Sequence, residues 1–329
     1  MASFSPLALL IGGGMAAVLA ARHFSVREED VQGRVVFITG GSRGLGLLLA
    51  KEFARRGARI AICARDAYEL GRAAAAIEEL GTEALPLVCD VSVQEQVNDT
   101  VEKITSTFGR PDILVNNAGI ITVGPIETMT RQDFEEAMNV MFWGTLWPTL
   151  AVLPGMLDRR HGRIVNITSI GGKISVPHLI PYCCAKFAAV ALSDGLRAEL
   201  ARTGVSVTTV VPGLMRTGSH VHARFKGNRT TEYTWFGLGA TLPLLSIDAE
   251  RAASQVVRAS LRGEAEVVLG GPAAIAAPLH ALFPEVSAEL RALANELILP
   301  AAGSDGKQAV RGAEVQQRLK PFLQTLLAS

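Results

Sequence analysis

Short apolar runs alternate with amphipathic stretches along most of this 329-residue chain. Residues 35–39, Val-Val-Phe-Ile-Thr, are apolar at four of five positions, as a strand buried on both faces should be. Residues 59–63, 84–90, 113–119, 163–168 and 265–269 repeat that character. Helix-like stretches lie between them, which predicts an α/β fold around a parallel sheet. Beyond residue 270 the pattern changes. Leu279, Leu282, Phe283, Val286, Leu290, Leu293 and Leu297 recur at helical spacing around Pro284. They predict a helix packed over the mouth of a site or against a neighbour. Residues 303–307 read as a linker, and residues 319–327 as a short amphipathic tail.

The first strand runs directly into Gly40-Gly41-Ser42-Arg43-Gly44-Leu45-Gly46, and a helix-like stretch follows to about Gly57. Glycines at such a turn let the backbone approach a pyrophosphate, while the helix start offers free N–H groups and partial positive charge. A dinucleotide site is therefore expected here. The second strand ends at Ala64-Arg65. A carboxylate there would hold the ribose hydroxyls of NAD, whereas Arg65, helped by Arg43, suits a 2′-phosphate. The expected cofactor is NADP(H). Asp66 reads as a helix cap, with ribose ligand as the alternative. Asp90, ending the third strand, can contact adenine, and the turn Asn116-Asn117-Ala118-Gly119 can line the cofactor or bond to nearby backbone.

Tyr182 and Lys186 stand four apart in Tyr-Cys-Cys-Ala-Lys, on one face of an expected helix. An ammonium beside a phenol favours phenolate and should lower the tyrosine pKa toward neutrality, ready for proton exchange with a carbonyl oxygen. Ser169 ends the strand-like run of residues 163–168 and presents its hydroxyl there.

Thr39-Gly40-x-x-x-Gly44-x-Gly46, Asn116-Asn117-Ala118-Gly119, Ser169, Tyr182-x-x-x-Lys186 and Pro212-Gly213 together resemble the short-chain dehydrogenase/reductase family over residues 32–270. The resemblance implies a Rossmann-type, doubly wound seven-stranded parallel sheet with helices on both faces. It implies a tetrad in which Tyr182 is acid or base, Lys186 lowers its pKa and holds the nicotinamide ribose, Ser169 binds the substrate oxygen and Asn139 supports a proton relay. Cofactor contacts are implied for Gly40, Ser42, Arg43, Gly44, Leu45 and Gly46, and for Arg65, Asp90 and Val91. They are implied again for Asn117, Ala118 and Gly119, for Tyr182 and Lys186, and for Pro212, Gly213 and Thr217 near the carboxamide. The implied reaction interconverts a ketone or aldehyde and an alcohol, in the reductive direction if NADPH is the pool. A catalytically idle NADP-binding sensor or scaffold is the alternative from another class. Epimerases and dehydratases share Tyr-x-x-x-Lys, but the Gly40/Gly44/Gly46 spacing disfavours them. The family also implies a homodimer or homotetramer, joined by the Tyr182 helix (Ala188, Ala189, Ala191, Leu192) and one starting near Arg131.

A net charge of +1 without a basic cluster argues against nucleic acid as a partner. No metal-ligand spacing occurs, and Cys63, Cys89, Cys183 and Cys184 read as reduced thiols. Residues 1–31 form a hydrophobic amino-terminal segment whose first 21 residues carry no charged side chain. Its apolar part, residues 7–21, is short for a span of about 20 residues, yet a retained membrane anchor is preferred over a buried arm or a cleaved signal. Arg22, His23 and Arg27 place the chain on the cytoplasmic side of such an anchor; a cytoplasmic protein is the other outcome. The aromatic segment 214–245 (His220, His222, Phe225, Tyr233, Trp235, Phe236), a helical extension over 271–329 and the anchor suggest a lipophilic carbonyl or alcohol substrate: a sterol, a long-chain keto compound or a retinoid-like aldehyde.

Overall fold

The structure, a computed structural model, describes residues 28–243, 245–303 and 306–319. The hydrophobic stretch at residues 1–21 and most of the 319–327 tail lie outside them. β1 (Val35–Thr39), β2 (Arg59–Ala64), β3 (Ala84–Val88), β4 (Ile113–Asn116), β6 (Gly162–Ile167), β7 (Val205–Pro212) and β11 (Glu266–Leu269) make one sheet, ordered β11-β7-β6-β4-β1-β2-β3. Every pairing in it is parallel. The order reverses at β1, so the carboxyl ends of β1 and β4 flank the crevice where such sheets bind ligands.

Side-chain alternation explains why both faces are covered. Val36 and Ile38 of β1 join Ile60, Val115, Val165 and Val210 in one core, against α1 (Gly44–Ala54), α2 (Ala67–Glu78) and α9 (Ala249–Arg262). Val35 and Phe37 point the other way, into a core with Leu114, Ile164 and Val207 under α3 (Gln94–Phe108) and α5 (Gly144–Asp158). A strand with period-two geometry and helices on both sides must be apolar throughout. The residues preceding β1 are pinned beneath the sheet, where Glu29 bonds Arg163 Nε at 2.7 Å and His161 at 2.8 Å.

Segment 214–245 is not a simple loop. It contains β8 (Leu214–Arg216), α7 (Ser219–His222), β9 (Arg224–Phe225) and α8 (Arg229–Thr241), and β10 (Ser246–Asp248), just beyond it, pairs with β8 in parallel. β9 lies between β5 (Thr122–Val123), which it pairs in parallel, and β12 (Val310–Arg311), which it pairs antiparallel. Phe225, Tyr233 and Phe236 are buried in a third core with Val123, Leu179, Cys183 and Val315, the last carried by α12 (Gly312–Gln317). Those three aromatics therefore pack the segment into the fold. Two ion pairs tie this unit to α4 (Arg131–Met138): Lys226 with Asp133 at 2.5 Å, both buried, and Arg224 with Glu136 at 2.6 Å.

The apolar periodicity after residue 270 does form helices, α10 (Gly271–Leu282) and α11 (Pro284–Leu297). Their apolar stripe is not buried over the site, which leaves packing against a neighbour as the remaining expectation. Ile275, Leu282, Val286, Leu290 and Leu297 are each more than half exposed. α11 touches the body of the fold through a polar contact, Arg291 Nη1 to the Ser175 carbonyl at 3.2 Å, so its apolar stripe stays outside.

Candidate active site

The glycine turn is held by contacts that leave no room for side chains. Asn117 Nδ2 donates to the carbonyls of Thr39 and Gly40, both at 3.0 Å, and Thr39 Oγ1 accepts from the amides of Asn117 and Ala118. Thus the turns after β1 and β4 are stitched together. A Cβ on Gly46 would sit 2.2 Å from the Gly40 carbonyl oxygen and 2.5 Å from Asn117 Nδ2. Gly40 and Gly44 have φ of +65° and +55°, a region open to glycine at little cost. No side chain caps the start of α1, and its first turn holds no acidic residue. Its amides are consequently free to meet an anionic group, which is what a pyrophosphate requires. Leu45 and Ser42 are buried within this turn, and the Thr217 carbonyl lies 3.9 Å from where a Gly44 Cβ would be.

At the adenosine end, Arg43 pairs with Glu69, and Ser42 Oγ bonds the same carboxylate at 3.2 Å. Arg65 approaches Asp90 at 3.9 Å, and both arginines are exposed. Asp66 is the amino-terminal cap of α2, accepting from the Glu69 amide at 2.9 Å. Asp90 also receives the Ser92 hydroxyl at 2.7 Å. Val91 packs on Gly144, where an added Cβ would meet it at 2.6 Å. Gly213, after Pro212, faces Ala273 at the root of α10.

Ser169 leaves β6 with extended backbone, and its Oγ accepts from the Gly171 amide at 3.0 Å. α6 (Ile180–Leu200) then carries Tyr182 and Lys186. The Ser169 hydroxyl stands close enough to the Tyr182 phenol to favour its ionised form. Lys186 Nζ lies 5.9 Å from the Tyr182 ring centre and donates to the Ile167 carbonyl at 2.8 Å. Asn139 opens a π-helical turn, Asn139–Trp143, between α4 and α5; such turns are frequent at functional sites. Its neighbours Met138, Val140 and Met141 pack with Tyr182 and Ala185, so α4, the π-helical turn and α6 meet beside the tyrosine.

Electrostatics depart from the sequence expectation. Burial pushes the Tyr182 phenol up to about 12, with the neighbouring Ser169 hydroxyl opposing and nearby Cys183 adding to the rise. Burial also brings Lys186 down to about 8. The expected lowering of the tyrosine is not seen in the protein alone, because desolvation exceeds any help from an ammonium directed at a backbone carbonyl. Spacing could not reveal this. His178, whose Nδ1 lies 2.7 Å from Glu232 Oε1, also went unread, since the two are distant in sequence and carry no motif.

A doubly wound sheet with a glycine-lined switch point and a Ser–Tyr–Lys group beside it defines a Rossmann-type oxidoreductase. Residues 34–226 match the short chain dehydrogenase family model, and the chain belongs to that family. It is 30% identical to estradiol 17-beta-dehydrogenase 11 of Rattus norvegicus over 262 residues, covering 79% of this chain and 83% of the relative. Among solved structures, it resembles a gluconate 5-dehydrogenase from Burkholderia cenocepacia in complex with NADP and tartrate, with 28% identity and a TM-score of 0.65 over 74% of this chain and 96% of that one. A variant actinorhodin polyketide ketoreductase with NADPH gives 27% identity and a TM-score of 0.66, over 75% and 99% respectively.

Proposed function

We propose that this oxidoreductase uses NADP(H) to reduce a lipophilic ketone or aldehyde to its alcohol, with Asn139, Ser169, Tyr182 and Lys186 as the reacting group. The observation that carries the reading is the Ser169 hydroxyl set against the Tyr182 phenol beside buried Lys186, with only β4 between the end of β6 and the strand that leads into the uncapped start of α1. A bound nicotinamide supplies the hydride. Ser169 orients the substrate oxygen, and the Tyr182 hydroxyl, held protonated at neutral pH by burial, gives that oxygen its proton. A protonated phenol suits reduction better than oxidation. Lys186 stands near enough to restore the phenol's charge balance, and Asn139 opens the turn that meets α6 beside the tyrosine. The α1 amides with Gly40, Gly44 and Gly46 receive the pyrophosphate; Asn117, Ala118 and Gly119 line the nucleoside, and Pro212, Gly213 and Thr217 the carboxamide.

Arg43 and Arg65 support a 2′-phosphate, though each would exchange a carboxylate partner for it. NADP or NADPH in the two similar structures supports the same choice. For the substrate, support comes from the estradiol dehydrogenase relative, from the exposed apolar stripe of α10–α11, and from the uncharged first 21 residues of the sequence. These also favour a membrane-associated protein facing the cytoplasm. An apolar patch of Trp143, Leu150 and Leu157 on the helix after Arg131, with Phe187 on α6, supports a homodimer. Ala191 lies exposed on α6 and suits that face, whereas Ala189 points into the core.

The test is NADPH oxidation against water-soluble and lipid ketones, with and without vesicles, in the unmodified chain and in Tyr182→Phe. Turnover should be lost in Tyr182→Phe with NADPH binding retained; full activity there defeats the tetrad. Faster turnover of small polar ketones than of every lipid, unaffected by vesicles, defeats the lipophilic reading. Equal affinity for NADPH and NADH defeats the role given to Arg43 and Arg65.

A further inference from the structure

α8 and the loop entering the catalytic helix meet at a buried polar junction that the proposed chemistry does not use. Glu232 is fully buried on α8. One of its oxygens takes the His178 Nδ1–H at 2.7 Å, the other the Trp235 Nε1–H at 2.7 Å. A buried carboxylate is costly unless its lone pairs are filled, and here two N–H groups fill them. His178 is held at φ +64°, a left-handed conformation rare for a side-chain-bearing residue. Strain of this kind persists where the surroundings over-determine it. His178 is indeed held from both ends: its carbonyl accepts from the Gly124 amide at 2.9 Å, and its ring meets Trp235 edge-on at 6.5 Å. Four residues later the chain reaches Tyr182. Trp235 and Tyr182 pack at the margin of the same apolar cluster, and Trp235 alone among the α8 aromatics keeps part of its surface open.

We propose that Trp235 is a specificity-determining wall for flat apolar substrates, and that Glu232 is a positioning residue that fixes the indole and, through His178, its distance from Tyr182. This rests on the carbonyl-reductase reading of the Tyr182 site. The indole offers a rigid face with few internal rotations, which suits ring-containing ligands. Held by its N–H, it cannot swing into the cleft. The carboxylate has no reacting atom within reach and acts only through its neighbours.

Binding of an apolar ring ketone to the full chain with NADP+ reads the wall without chemistry, and turnover with NADPH reads the chemistry. Calorimetric Kd should rise tenfold or more in Trp235→Ala. Trp235→Phe, which removes the donor and trims the ring while keeping an aromatic face and the Glu232–His178 pair, should show a several-fold rise. Glu232→Leu should match Trp235→Ala, and the double variant should be no worse than either single change, as residues acting as one unit require. Glu232→Gln should recover Kd to within about threefold, because its amide can accept from Trp235 while donating to His178 in the other tautomer. In turnover, KM for the ring ketone should rise while kcat for a small ketone stays within about threefold. Unchanged Kd in Trp235→Ala and Trp235→Phe overturns the proposal, as do additive losses, a uniform fall in kcat for all substrates, or failure of the unmodified chain to bind any ring ketone. Should Glu232→Leu not fold, the two Trp235 variants decide alone. Ring-ketone binding that follows this pattern without turnover keeps the wall and removes the reductase reading.

Discussion

Replacing Lys186 by methionine should strengthen the cofactor-free fold at neutral pH while abolishing turnover. The side chain is 5% exposed, and burial brings its ammonium down from 10.5 to about 8. That gap corresponds to roughly 3 kcal/mol of destabilisation wherever both folded and unfolded chains carry the charge. Below pH 8 the penalty is complete. Between pH 8 and 10.5 the unfolded chain holds more protons than the folded one, so stability rises with pH and the penalty fades. Methionine fills a similar volume without charge, and loses the hydrogen bond to the Ile167 carbonyl, worth about 1 kcal/mol. The variant should therefore gain about 2 kcal/mol at pH 7. At pH 10 the penalty is down to about 1 kcal/mol and the two chains should be equally stable. Urea denaturation of both, without cofactor, at pH 7, 8.5 and 10 measures the difference. The thiols and phenols that the unfolded chain titrates in this range are common to both chains and cancel. A variant that is less stable at pH 7, or a difference independent of pH, would refute a buried, desolvated ammonium.

Gly46→Ala should cost at least about 2 kcal/mol and weaken NADPH binding more than tenfold, since its methyl would strike backbone 2.2 Å away; thermal denaturation and a cofactor titration check both. Tyr233→Phe should be neutral or stabilising by up to about 1 kcal/mol, because the Tyr233 hydroxyl is buried with no hydrogen-bond partner among the described residues; urea melts decide it. Phe187→Glu should convert a dimer into a monomer in light scattering with the fold intact by circular dichroism, and an unchanged mass would move the interface elsewhere.

The sheet was legible because its physics is local. A strand covered on both faces must be apolar throughout, and the turn at Gly40–Gly46 needs residues without a Cβ, so both leave a mark in the string. Asp66 was legible as a cap for the same reason: its partner is three residues away. The site was only half legible. The order of motifs assembled Ser169, Tyr182 and Lys186, yet the Tyr182 pKa moved opposite to expectation, since desolvation depends on everything packed around the phenol and not on one lysine four positions on. Helical periodicity after residue 270 gave α10 and α11 without saying what they touch. Phe225, Tyr233 and Phe236 could be read either way, because composition does not distinguish a pocket wall from a core. The His178–Glu232 pair spans 54 positions, and only the fold brings it together.

The three-stranded patch around β9 bears on how this chain could be re-engineered. Its middle strand comes from the specificity segment, one neighbour from the loop after β4, and the other from the last part of the described chain. Exchanging residues 214–245 for those of another enzyme would therefore leave a donor strand facing two unmatched hosts, and a transplant limited to that stretch should give insoluble or poorly folded hybrids. The unit of exchange is discontinuous: residues 121–123, 214–241 and 306–319 have to travel as a set.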